Sequence, residues 1–174
     1  MIDPITLIEL TNLKAAGKLE ELAAHPQLGM KPDWIGELAQ SGNPTVRKTL
    51  AYNPALADFP TIVEKLSKDR STIVRVYLAS NPAIVTAPQA VNKLGESGPV
   101  DIRSALATNP ALVNFPKIIQ KLADDEHTVR FFLARNPSIA NFPEIIQKLA
   151  TDKARNVSEA LASNPAIPTR TARI

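Results

Sequence analysis

The phrase Leu-Ala-x-Asn-Pro occurs five times in this chain, and its spacing constrains the fold more than any other feature. It stands at Leu50–Pro54, Leu78–Pro82, Leu106–Pro110, Leu133–Pro137 and Leu161–Pro165. The asparagines fall at 53, 81, 109, 136 and 164, so successive copies lie 28, 28, 27 and 28 residues apart. A period of this length is the signature of stacked supersecondary units, each unable to bury its apolar face alone. Four residues before each Leu sits a β-branched residue, followed by arginine in four copies: Val46-Arg47, Val74-Arg75, Ile102-Arg103 and Val129-Arg130. The last copy carries Val157-Ser158.

A second phrase alternates with the first. Phe59-Pro60 leads to Lys65-Leu66, Phe115-Pro116 to Lys121-Leu122, and Phe142-Pro143 to Lys148-Leu149; a further copy has Ala87-Pro88 and Lys93-Leu94. Degenerate copies precede these. Leu22-Ala23-Ala24-His25-Pro26 fills the first phrase with His25 in place of Asn, Lys31-Pro32 and Glu37-Leu38 fill the second, and Asp3-Pro4 with Glu9-Leu10 matches one period earlier.

The physical reading of one repeat follows directly. Proline suits the first position of a helix, where its missing N–H would have no partner. Ile62 and Leu66 are four apart and share a face, as do Ile118 and Leu122, which gives a first short helix. Val74 and Leu78 repeat that spacing on a second helix, with small Ala79 beside them. Asn81-Pro82 stops it, because Asn is a good cap and Pro a good first residue, and a short 3₁₀ turn follows. Helices of about 8–12 residues are marginal alone, so neighbouring copies must supply the missing burial. The expected architecture is all-α: an α-solenoid of about six 28-residue repeats alternating short α-helices with 3₁₀ turns. It forms a single helical-repeat domain over 1–174, with a degenerate repeat or cap at 1–24, repeats over 25–163 and a C-terminal cap or tail at 164–174.

Composition excludes several function classes. The absence of cysteine removes disulfides, thiolate metal sites and cysteine nucleophiles together. Aromatics are only 5%, so the core must come from Leu, Ile, Val and Ala. No basic segment followed by an apolar run marks a secretory signal, and no stretch reaches the length of a membrane span, so a soluble cytoplasmic protein is expected. Histidines are His25, in a cap slot, and His127, beside Asp125 and Glu126; almost four repeats separate them. No metal-ligating pair, acidic metal loop or phosphate-cradling glycine run accompanies them, so the reading is non-enzymatic, with no catalytic residue, metal or cofactor.

The sequences Val74-Arg75-Val76-Tyr77-Leu78-Ala79-Ser80-Asn81-Pro82 and Pro143-Glu144-Ile145-Ile146-Gln147-Lys148-Leu149-Ala150-Thr151-Asp152 resemble the leucine-rich repeat variant family. That resemblance covers nearly the whole chain. It implies alternating α and 3₁₀ helices wound into a right-handed superhelix, in the style of HEAT-like repeats, with no β-strand. The founding type of that family has a cysteine-rich iron–sulfur segment, which this cysteine-free chain lacks. The family has no general activity, so function must be read from individual residues.

The asparagine ladder is expected to cap turns and link repeats. Arginines Arg47, Arg75, Arg103 and Arg130 would stack in a row that suits phosphates or carboxylates; otherwise each pairs with an acid at the preceding helix end, such as Asp69, Asp101 or Asp125. Positions that vary between copies are the better pointers to a partner, since the scaffold does not dictate them. Lys48, Tyr52, Phe131 and Arg135 join the four arginines there as a candidate interaction surface on helix two, where Tyr77 also contributes to a mixed basic and aromatic strip. Tyr77 and Phe132, each directly before a core Leu, are expected to be half-buried. Residues 1–37 hold six acids and three bases, whereas residues 38–174 hold eleven acids and seventeen bases. Two readings follow. One is a scaffold that binds a protein partner along the concave face; the alternative is a nucleic-acid-binding solenoid with a basic concave surface, in keeping with a pI near 9.3. Neither the partner's identity nor the oligomeric state is written in the chain.

Overall fold

Proline sets the rhythm of the backbone. Among the described residues seven α-helices begin at Pro4, Pro32, Pro44, Pro60, Pro88, Pro116 and Pro143, and four 3₁₀ turns begin at Pro54, Pro82, Pro110 and Pro137. In each the fixed φ of proline is already helical and its absent N–H costs nothing. A computed structural model describes residues 4–168 of the chain. Among the described residues it is all-helical, with no strand.

The chain divides into two compact units, Met1–Ala90 and Val91–Ile174. The first unit contains α1 (Pro4–Ala15), α2 (Leu19–Ala24), a 3₁₀ turn at Leu28–Met30, α3 (Pro32–Leu38), α4 (Pro44–Tyr52), a turn at Pro54–Asp58, α5 (Pro60–Ser67), α6 (Thr72–Ser80) and a turn at Pro82–Thr86. The division falls inside α7 (Pro88–Ser97). The second unit continues with α8 (Val100–Ala107), a turn at Pro110–Asn114, α9 (Pro116–Leu122), α10 (His127–Arg135), a turn at Pro137–Asn141, α11 (Pro143–Ala150) and α12 (Arg155–Ala162).

Within the first unit α4 packs between α2 and α6, the three turns lie against one another in order, and α1, α3 and α5 each pack on the helix that follows. The second unit repeats the plan: α10 lies between α8 and α12, its two turns touch, and α9 and α11 pack on the neighbouring members of that row. Gly17, with φ of 69°, makes the left-handed turn between α1 and α2.

The repeated phrases are the core. Leu50, Leu78, Leu106, Leu133 and Leu161 are fully buried, as are Leu56, Ile84, Leu112 and Ile139 of the turns. Each such side chain stabilises the fold by about 1.5–3 kcal/mol relative to exposure. On α5 it is Val63, not Ile62, that pairs with Leu66 in the interior; Ile62 is only half-buried. Both i,i+3 and i,i+4 partners share a helix face, and on α5 the buried pair is the former.

The asparagines tie successive turns together. Asn53 Nδ2 donates to the carbonyls of Ala23 (2.8 Å) and His25 (3.0 Å), while its Oδ1 accepts the N–H of Ala55 (2.9 Å). Asn81 repeats this with Ala51, Asn53 and Ala83, and Asn136 with Ala107, Asn109 and Ser138. Asn164 does so with Ala134, Asn136 and Ala166. All are buried. A primary amide is the one side chain that can cap an N–H with its oxygen and satisfy two carbonyls with its nitrogen. At the degenerate copy His25 keeps half the role: its Nδ1 accepts the N–H of Gln27 at 3.3 Å.

Candidate interaction surface

The arginine row is three-quarters occupied by the protein's own carboxylates. Arg47 Nε and Nη2 donate to Asp69 Oδ2 and Oδ1 at 2.7 and 2.9 Å. Arg103 meets Asp125 at 2.6 and 2.8 Å, and Arg130 meets Asp152 at 2.6 and 2.9 Å, through the same atoms. In every case the acid lies twenty-two residues beyond the arginine, not at the preceding helix end as expected; from that side Arg75 and Arg130 take only the backbone carbonyls of Asp69 and Asp125. The remaining nitrogen, Nη1, donates to a backbone carbonyl just before the arginine's own helix: Ser41 for Arg47, Asp69 for Arg75, Gly98 for Arg103 and Asp125 for Arg130. These guanidinium groups thus brace the helix ends from inside, and Arg47 is 5% exposed. Asp101, one of the acids considered as a partner, stands exposed in the first turn of α8.

Electrostatics at these pairs favour the charged forms. Burial alone would raise the carboxyls of Asp69 and Asp125. The hydrogen bonds from Arg47 and Arg103, with those from the N–H groups of Ser71 and Glu126, outweigh it and hold both below the ordinary carboxylate value. For Asp152 the Arg130 hydrogen bond is the largest influence and acts in the same direction. Such pairs order the structure, yet they leave little free charge for a ligand.

The aromatic and basic candidates gather in two patches, one in each unit. In the first, Tyr52 from α4 and Tyr77 from α6 meet edge to face, with ring centroids 5.8 Å apart at 78°. The Lys48 ammonium sits 5.4 Å from the Tyr77 ring centre. Tyr52 is 59% exposed and Tyr77 36%, and Ile73, one turn before Tyr77, is 46% exposed. In the second unit Phe131 and Phe132 meet at 5.4 Å and 77°, and the Arg135 guanidinium lies 5.8 Å from the Phe131 ring. Both phenylalanines are half-buried there, while Arg135 is exposed. Tyr77 therefore departs from the half-buried expectation, whereas Phe132 meets it. Ile73 was missed; its position four residues before Tyr77 was the available signal.

Trp34 is half-buried on α3 with the ammonium groups of Lys14 and Lys31 4.7 and 5.3 Å from its ring centre. An open groove of about 340 Å³ in the first unit is lined by Arg47, Lys65, Lys68 and Arg70, together with Asp69 and the residues that end α3. Among the described residues no group of three or more His, Asp or Glu side chains is placed to hold a metal ion, and no helix is long and apolar enough to cross a membrane. No protein-family model matches the chain, and neither a curated protein nor a solved structure does.

Proposed function

We propose that this chain is a right-handed α-solenoid of six 28-residue repeats, of the leucine-rich repeat variant kind, serving as a non-enzymatic scaffold for a protein partner in the cytoplasm. The architecture is supported by the period of the Asn-Pro phrase and by the matching helix and turn order of the two units. The binding role is carried by one observation: two tyrosines and an isoleucine stand in solvent at positions the repeat leaves free, with a lysine over one ring. Tyrosine supplies large contact area at low entropic cost and is enriched among the residues that dominate interface energetics. The core leucines, the asparagines and three of the four arginines that the repeat fixes are, by contrast, consumed in bracing the fold.

The groove lined by Arg47, Lys65, Lys68 and Arg70 favours a second reading, binding of a nucleic-acid backbone. Asp69 lies in the same groove and its carboxylate is taken by Arg47, so three bases remain for phosphates. Affinity capture from the native lysate, with and without nuclease, separates the readings. A protein retained after digestion supports the scaffold. Loss of everything after digestion, with binding that collapses between roughly 50 and 200 mM salt, supports the alternative.

A further inference from the structure

We propose that Arg75 is a receptor for a carboxylate supplied from outside the chain. The arginine row itself points to this, independently of the protein-binding reading above. Three of its four members show what the position does: Nη1 holds a backbone carbonyl, and the Nε–Nη2 edge clamps both oxygens of a carboxylate. Arg75 keeps the first half of this arrangement, donating from Nη1 to the Asp69 carbonyl. The second half differs. Nη2 turns to its own helix, meeting Thr72 Oγ1 at 3.2 Å, and among the described residues no acceptor meets Nε and no carboxylate pairs with the group. In sequence, the position twenty-two residues beyond Arg75 is Ser97, whereas the other three arginines have Asp69, Asp125 and Asp152 there.

The surroundings favour an anion. Arg75 is half-buried, and the segment whose carbonyl it holds carries exposed Lys68 and Arg70. The one acid in that segment, Asp69, is neutralised by Arg47 and also accepts the Ser71 N–H. A guanidinium pinned at one nitrogen has already lost part of its rotamer freedom, so its planar edge is prepared for a planar, two-oxygen acceptor. The neutral Thr72 hydroxyl at 3.2 Å is a weak competitor for Nη2. The ligand class is therefore a carboxylate, either a small carboxylic acid or an Asp or Glu side chain.

Arginine Nε–H resonances of the full chain, followed by ¹H–¹⁵N correlation spectroscopy at constant ionic strength, test this. Acetate replacing chloride should shift the Arg75 signal saturably, on the order of 10–100 mM. Arg47, Arg103 and Arg130 should stay fixed, and exposed Arg70, Arg135 and Arg155 should move far less. A glutamate-containing peptide that shifts Arg75 at lower concentration than acetate identifies a side chain as the source; equal potency identifies the small acid. As a second readout, acetate should raise Tm over chloride in the wild type and not in Arg75→Lys, which keeps the charge and loses the fork. An Arg75 signal that moves no more than those of the exposed arginines, or a Tm gain that survives in Arg75→Lys, overturns the proposal.

Discussion

Arg47 and Asp69 meet edge to edge, Nε to Oδ2 at 2.7 Å and Nη2 to Oδ1 at 2.9 Å, with side chains only 6% and 8% exposed. The pair ties the start of α4 to the segment after α5. Truncating one partner leaves the other charge buried, so Arg47→Ala or Asp69→Asn should cost about 3–5 kcal/mol in urea unfolding. Replacing both by apolar residues of similar volume should be markedly milder than the sum of the single changes. Single variants costing under about 1 kcal/mol would show the pair to be no brace.

Acid should unfold the protein through the same residues. Asp69, Asp125 and Asp152 all have folded values below the ordinary carboxylate range. A depressed carboxylate stabilises the fold fully above its unfolded value, near 3.9, and loses that contribution as pH falls through its folded value. Their contribution should thus be constant from pH 7 to 5 and drain away below about pH 4. Tm measured against pH should fall steeply in that window for the wild type and less steeply for Asp152→Asn, which starts from a lower Tm.

Asn136 separates capping from cross-linking. Asn136→Asp keeps an oxygen for the Ser138 N–H but removes the donors to Ala107 and Asn109, in a buried site. The expected loss is about 2–4 kcal/mol by denaturant titration. Asn43 caps only the N–H of Thr45 and is exposed, so Asn43→Ala should cost about 1 kcal/mol. Equal losses at the two sites would mean that the links between turns contribute nothing.

Glycine substitutions should split by environment. A Cβ on Gly98 would lie 2.4 Å from the Leu94 carbonyl oxygen, whereas one on Gly36, inside α3, would meet nothing within 4 Å. Gly98→Ala should lower stability by about 1–3 kcal/mol, and Gly36→Ala should raise it by up to about 1 kcal/mol. Thermal unfolding of the two variants checks both signs.

Local chemistry was legible in the chain, and tertiary register was not. Asn-Pro announces both a helix stop and a turn start, so the sequence alone marks Asn53, Asn81 and Asn136 as caps and links. The acid that meets each arginine was harder, because a spacing of twenty-two belongs to neither the helical period nor the repeat. A reading that looks to the preceding helix end sets Asp69, Asp101 and Asp125 beside Arg75, Arg103 and Arg130, whereas Asp69, Asp125 and Asp152 reach back to Arg47, Arg103 and Arg130, and Asp101 stands exposed. Recurrence of that spacing in three copies was the overlooked signal. Exposure of Tyr77 is not legible for a similar reason: a residue directly before a core leucine can face the interior or the rim, and the helical period alone does not say which.

Stability resides in the leucines, asparagines and paired arginines that the repeat fixes, and binding of a protein partner in the aromatic positions that it leaves free. Tyr52→Ala/Tyr77→Ala, titrated calorimetrically against the captured protein partner, tests that division most directly. The fold should persist, with far-UV circular dichroism unchanged, and affinity should fall by about 30-fold or more, as for truncation of an aromatic hot spot. A folded double variant that binds as tightly as the wild type would contradict the account.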